Sequence, residues 1–328
     1  MGGPRVPKRL LSVQDLTMHY TTRRGEVSAV DDVSFDLHEG EALGLVGESG
    51  CGKTSLAMCL MRLLPENARI LKGHVYLDGT DLLPLPEEEM RHYRWKRIAM
   101  IFQAAMNALD PVYKVGDQII EALNTHLESM TNTQARERVA ELFRLVGLDP
   151  AMMDRYPHEY SGGMRQRSVI AMALSCNPDI IIADEPTTAL DVIVQDKLLR
   201  EMREIQKQWG MGMIYISHDI AVIAEVSNRM GVMYGGRMVE IADTVDIFEQ
   251  PQHPYTYALM RAFPSVTGPK HALTTLSGEP PDLLHPPPGC RFHPRCPRAT
   301  DLCRHEVPLL QDQGKRHAVA CWHPMGGD

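Results

Sequence analysis

No stretch of this 328-residue sequence approaches the roughly eighteen consecutive apolar residues that a membrane-spanning helix needs, so no bilayer-crossing helix is expected. The opening residues, MGGPRVPKRLLSVQDL, are basic but lack the apolar block of a secretory leader, and a cytoplasmic chain is the expectation. Basic residues are also in deficit. Thirty-four Lys and Arg against 42 Asp and Glu leave a net charge of -8, which argues against a general attraction to nucleic acid. Cysteine is sparse over most of the length and odd in number, seven in all, which speaks against a disulfide framework. What is present is an ordinary globular composition, 44% hydrophobic, enough for one large core or a main domain with an appendage.

The first informative segment is EALGLVGESGCGKTSLAMCLMRLL, residues 41–64. An apolar strand-like run ends at Gly47, and after Lys53 the pattern turns helical, with Leu56, Leu60 and Leu63 at turn spacing. Between them Gly47, Gly50, Gly52, Lys53 and Thr54 satisfy GxxxxGK[ST], in which glycines let backbone N–H groups close round phosphates at a helix N-terminus. Lys53 would reach the β- and γ-phosphates, and the Thr54 hydroxyl would bind Mg²⁺. Ser49, Cys51 and Ser55 complete the set of loop positions assigned to the nucleotide. The plainer reading is a tight turn between a core strand and a helix.

A second segment, DIIIADEPTTALD, residues 179–191, reads as a strand buried on both faces that finishes on two adjacent carboxylates. Open α/β sheets place their ligands at such strand ends. Asp184 suits Mg²⁺, and Glu185, pointing the other way, suits polarisation of an attacking water. Taken alone, the pair is equally readable as an acidic cap before a helix. In a third segment, EYSGGMRQRSVIAMALSCNPD, Ser161, Gly162 and Gly163 precede a helical pattern carrying Val169, Ala173 and Leu174 on one side, a second anion-binding device.

One nucleotide site does not need two such devices, and together these segments resemble the ATP-binding cassette family, over roughly residues 10–250. The resemblance implies an α/β P-loop nucleotide-binding domain at 1–250, with a RecA-like core, an antiparallel β subdomain and an α-helical subdomain at about 104–162. It also implies that Ser161 and the Gly162 and Gly163 amides complete the ATP site of a partner cassette. Gln103 in MIFQ would contact Mg²⁺ and sense the γ-phosphate, Asp191 at the end of DEPTTALD would belong to the nucleotide-binding residues, and His218 in IYISHD would hold the γ-phosphate beside Glu185. Tyr20 would stack on adenine; otherwise it is an edge-strand tyrosine. The signature reads YSGGM where the family string is commonly LSGGQ, and the phosphate-contacting Ser-Gly-Gly survives. Between these landmarks TNTQARERVAELFRLVG offers a threonine cap, apolar positions Ala135, Val139, Leu142, Phe143 and Val146, and a terminal Gly147. The stretch after Gln103, AAMNALDPVYKVGDQI, would meet membrane subunits.

The sequence shows no internal repeat and no long heptad insertion, which leaves a transport ATPase acting on separate membrane partners rather than a translation or chromosome-maintenance relative. After residue 250 prolines crowd in, and 251–328 reads as an extended connector leading to a small irregular extension. Cys290, Cys296, Cys303 and Cys321 gather there, four thiols in a region too small to bury a core. The spacing does not choose among an iron–sulfur centre, zinc with His293, His305 or His323, and free thiols. Cys51, Cys59 and Cys176 read as small packing residues. The tail from HPYTYALMRAFP to the cysteines resembles the ATP-binding subunits of oligopeptide and dipeptide importers, and that resemblance implies a [4Fe-4S] cluster, with zinc as the alternative. It further implies a second, different cassette subunit, two transmembrane permease subunits, an extracytoplasmic substrate-binding protein, and a place on the cytoplasmic membrane face. Peptides are the expected cargo; nickel or oligosaccharides, or a regulatory ATPase without a permease, are the alternatives. If the cysteine centre is structural, replacing Cys296 by serine is expected to loosen the tail and to spare ATP binding.

Overall fold

The structure, a computed structural model, describes residues 7–103, 108–127, 130–188, 190–262 and 278–326. Residues 104–107 of the stretch assigned to membrane subunits, and 263–277 of the connector, lie outside the described residues. The chain forms two compact units, one from Met1–Leu10, Leu37–Glu41 and Pro84–Tyr215, the other from Leu11–Asp36, Ala42–Leu83 and Ile216–Asp328.

In the second unit a four-stranded sheet runs in the order Gly25–His38, Arg9–Thr22, Ala68–Leu77, Thr80–Asp81. Leu11 faces Leu77 and Val13 faces Val75 across the antiparallel pair, all four buried, so one face of the sheet is apolar. The register shifts between Gln14 and Thr17, and Gly73 opposite has φ +104; a Cβ there would lie 2.6 Å from Leu16 Cα, so the bulge demands glycine.

The fully buried strand Ala42–Val46 pairs in parallel with Arg229–Tyr234, which turns back antiparallel into Arg237–Asp243. Gly235 and Gly236, at φ +56 and +83, make that two-residue turn, whose mirror-image geometry matches strand twist. Ala318–Val319 then adds to Arg237–Asp243, and Gln311–Asp312 adds to Ala318–Val319. The tail is therefore not wholly irregular: it covers a sheet edge that would otherwise expose unpaired backbone groups. Strands of two residues are too short for periodicity to reveal.

The expected extended connector also holds a helix, Pro254–Arg261. Proline costs nothing at its first position, where the missing N–H would be unpaired anyway, and His253 Nδ1 accepts the Tyr255 N–H at 3.0 Å. Glu240 is wholly buried, and its carboxylate accepts the backbone N–H groups of Gln252 and His253 at 2.6 and 2.9 Å and His317 Nε2 at 2.7 Å. Those bonds compensate a desolvated charge and tie the tail to the strand that carries Glu240. Burial lowers the His253 pKa to about 4, keeping the ring neutral as the cap requires.

In the first unit Ile98–Ile101 and Ile180–Asp184 pair in parallel, Met100 opposite Ile182, with Gly212–Ile216 on the other side of Ile180–Asp184. All three strands are buried end to end, which accounts for their unbroken apolar runs. The helices of this unit include Val115–His126, Asn132–Leu145, Gly162–Ala173 and Val192–Trp209. Asn132–Leu145 begins on a capping box: Thr131 Oγ1 accepts the Gln134 N–H at 3.3 Å, and Gln134 Oε1 accepts the Thr131 N–H at 2.9 Å. Ala135, Val139, Leu142 and Phe143 are fully buried, as their spacing predicts, and Gly147 adopts φ +72 just beyond the helix end. Among the described residues, no helix is long and apolar enough to cross a membrane.

Candidate nucleotide site

The loop after strand Ala42–Val46 needs its glycines for different reasons. A Cβ on Gly47 would lie 2.2 Å from Met233 O, and one on Gly52 would lie 2.1 Å from Ala29 O, so both positions are closed to side chains. Gly50 has open space but φ +78. The loop delivers Lys53 as the first residue of helix Lys53–Met61, whose start carries no side-chain cap and no acidic residue in its first turn. Its leading N–H groups are therefore not masked by a capping side chain, and the helix dipole favours an anion there. Lys53, 7% exposed, turns its ammonium back over the loop and donates to Gly47 O at 2.8 Å and Glu48 O at 3.1 Å.

Thr54 is exposed, Ser55 is half-buried, and Tyr20 Oη lies 3.1 Å from Ser55 Oγ. The fold thus brings Tyr20 and the P-loop together, a juxtaposition that sequence spacing cannot reveal. Ser49 and Cys51 lie within the same loop; burial pushes the Cys51 thiol up, and Cys59 is pushed up to about 12, so both stay protonated and serve packing. His218, in the same unit, is exposed just before helix Ile220–Val226, which Asp219 caps by accepting the Ala221 N–H at 2.9 Å.

In the first unit Asp184 ends its strand 1% exposed, and Glu185 follows with φ +48, a left-handed backbone that non-glycine residues seldom adopt. Gln103 Nε2 donates to Glu185 Oε2 at 2.9 Å, and Thr188 Oγ1 donates to the same oxygen at 3.1 Å. The structure therefore joins Gln103 to Glu185 and adds Thr188, a partner missed in the sequence although its hydroxyl lies only three residues on. Ser161 caps helix Gly162–Ala173, its Oγ accepting the Met164 N–H at 3.3 Å. Val194 Cγ1 would lie 3.2 Å from a Cβ on Gly163. Asp191 caps helix Val192–Trp209, Oδ1 accepting the N–H groups of Ile193 and Val194 at 3.1 and 3.0 Å.

Cys290, Cys296, Cys303 and Cys321 are all free thiols lining one cavity of about 10 Å³, together with His253 and Phe292. Burial, reinforced by the neighbouring thiols, pushes Cys290 and Cys321 up to about 11. Against the expectation of a metal-binding extension, no group of three or more His, Cys, Asp or Glu among the described residues is placed to hold a metal ion.

Residues 30–188 match the ABC transporter family, and residues 239–303 match the oligopeptide/dipeptide transporter C-terminal region. The dipeptide transport ATP-binding protein DppD of Bacillus subtilis is 47% identical over 96% of this chain and 95% of its own length. The oligopeptide transport ATP-binding protein OppD of Escherichia coli is 42% identical over 96% of this chain and 94% of its own. Among solved structures, a dimeric bacterial ABC transporter cassette, MJ0796, superposes with a TM-score of 0.65 at 26% identity, covering 72% of this chain and 99% of that one. With its P-loop geometry, its Gln103–Glu185 pair and near-full-length relatives at these identities, the chain belongs to the ABC transporter ATP-binding proteins of the oligopeptide/dipeptide type.

Proposed function

We propose that this chain is the ATP-hydrolysing subunit of a peptide importer, in which two cassettes close on two ATP molecules, drive the permease, and reopen after hydrolysis. The observation that carries the reading is near-full-length similarity to dipeptide and oligopeptide transport ATP-binding proteins, joined to an uncapped P-loop helix that begins on a buried lysine. In this mechanism the amides from Gly50 to Thr54 and the Lys53 ammonium hold the phosphates. Glu185 accepts the proton of the attacking water, its carboxylate oriented by the Gln103 amide and the Thr188 hydroxyl. His218 contacts the γ-phosphate, Tyr20 the adenine, Asp191 belongs to the nucleotide-binding residues, and Ser161, Gly162 and Gly163 face the partner cassette. Thr54, Gln103 and Asp184 are the residues for Mg²⁺; a carboxylate as buried as Asp184 suits a divalent cation, which offsets phosphate charge when bound. The cassette occupies 1–250 and the extension 251–328. The partners are a related second cassette, two permease subunits and, through them, an external binding protein, so that the chain works on the cytoplasmic face of the membrane.

Co-purification of the tagged chain from membranes tests this reading. Two membrane subunits and a second cassette are expected to accompany it, and peptide-loaded binding protein is expected to stimulate ATPase activity several-fold. Stimulation by nickel or oligosaccharides alone would replace the cargo, and recovery without membrane subunits would replace the importer reading.

A [4Fe-4S] centre in the extension is the finer part of this proposal. Its support is the convergence of four thiols on one cavity, a donor set of the type that holds such clusters. Anaerobic purification is expected to yield about four irons and four sulfides per chain, with cluster absorbance. Stoichiometric zinc, or no metal, would remove the cluster and leave the ATPase standing.

A further inference from the structure

The phosphate loop is gripped by residues that the ATP reading does not use. Glu48, its second residue, gives its backbone N–H to Tyr255 Oη at 3.0 Å, while its carboxylate receives both terminal nitrogens of Arg295 at 2.7 and 3.0 Å. Arg295 is 5% exposed and stands one residue before Cys296. It also reaches Tyr234 Oη at 3.3 Å, with its guanidinium 5.7 Å from that ring's centre. Phe292, from the same cysteine segment, meets Tyr234 edge-on at 5.1 Å and Tyr255 at 5.4 Å. The Gly236 N–H donates to Cys51 O at 2.9 Å, holding the far side of the loop.

Paired nitrogen–carboxylate bonds of this kind are both strong and direction-fixing, and here they are mostly shielded from water. Their target matters because the Lys53 ammonium rests on the carbonyls of Gly47 and Glu48. Wherever Glu48 is held, the lysine and the amides that follow are held too. A loop fixed before ligand arrives loses less freedom on binding, so affinity rises without any direct contact to the ligand.

We propose that Arg295 is a positioning residue for nucleotide binding, through which the cysteine segment clamps the phosphate loop. The order of the tail and the affinity for ATP are then linked and not independent, and by reciprocity ATP protects the tail. This rests on the loop being the ATP site.

The test uses the purified full chain, with Mg·ATP binding and steady-state hydrolysis measured for wild type, Arg295→Ala, Arg295→Lys, Glu48→Gln and the Arg295→Ala/Glu48→Gln pair. Arg295→Ala is expected to raise Kd and KM for ATP about five- to tenfold, with KM rising more than kcat falls. Arg295→Lys, which replaces the fork by a point charge, is expected to recover part of that loss. Glu48→Gln is expected to match Arg295→Ala, and the double variant to be no worse than either, because they break one interaction. A merely structural arginine would lower the folded fraction and leave Kd of the folded molecules within twofold, which would overturn the proposal; so would additive losses. If Arg295→Ala does not fold, Glu48→Gln decides alone by the same Kd criterion. Failure of the wild type to bind ATP would instead sink the ATP-site reading, so the two failures are distinguishable.

Discussion

Glu185→Gln is expected to lower the rate of ATP hydrolysis by about 10²- to 10⁴-fold while ATP is still bound, the range associated with losing a positioned general base. The substitution is nearly isosteric. Its side-chain oxygen can still accept the Gln103 amide, 2.9 Å from Oε2, and the Thr188 hydroxyl, 3.1 Å away, so the left-handed turn after strand Ile180–Asp184 has no reason to rearrange. What disappears is the capacity to take a proton, since an amide is not a base at neutral pH. With binding retained and turnover blocked, two cassettes should accumulate closed on ATP. Phosphate release, with nucleotide retained after gel filtration, reads both halves of the prediction. Turnover within tenfold of wild type would mean that Glu185 is not the base.

Lys53→Ala is expected to act on the other side of the reaction, weakening ATP binding by about 100-fold or more, because the phosphates lose the one ammonium buried in their loop. The residue has a structural part as well, with its bonds to Gly47 O and Glu48 O. Leaving those carbonyls without their cation should cost the ligand-free protein about 1–3 kcal/mol. The two effects separate in a thermal melt. At ATP concentrations 100 times the wild-type Kd, wild type should gain about 2.7 kcal/mol of stability, and the variant about one-fifth of that or less. A variant stabilised by ATP as much as wild type is would exclude Lys53 from the phosphate site.

Much of the site was legible because its chemistry is local. A glycine loop that must admit no Cβ at Gly47 and Gly52, and a lysine that must begin the next helix, impose their identities within eight residues. Likewise the apolar run before Asp184 announces a strand buried on both faces, and the Thr131–Gln134 box announces a helix start, each through neighbours in sequence. The tail resisted that kind of reading. Its helix Pro254–Arg261 starts on a proline and its strands have two residues each, so both stand on partners elsewhere, Glu240 and the edge of Arg237–Asp243.

Residue identity alone was enough to mark an ATP loop, a paired-carboxylate strand end, a signature helix start and a cluster of four cysteines, because each is a pattern of contiguous or closely spaced side chains. Tertiary packing alone decided that Thr188 joins Gln103 on the Glu185 carboxylate. It also decided that Tyr20 meets Ser55, and that Arg295 reaches across 247 positions to grip Glu48. A hydrogen bond is set by distances of about 3 Å in space, and no periodicity in a chain encodes which remote residues the fold will bring that close.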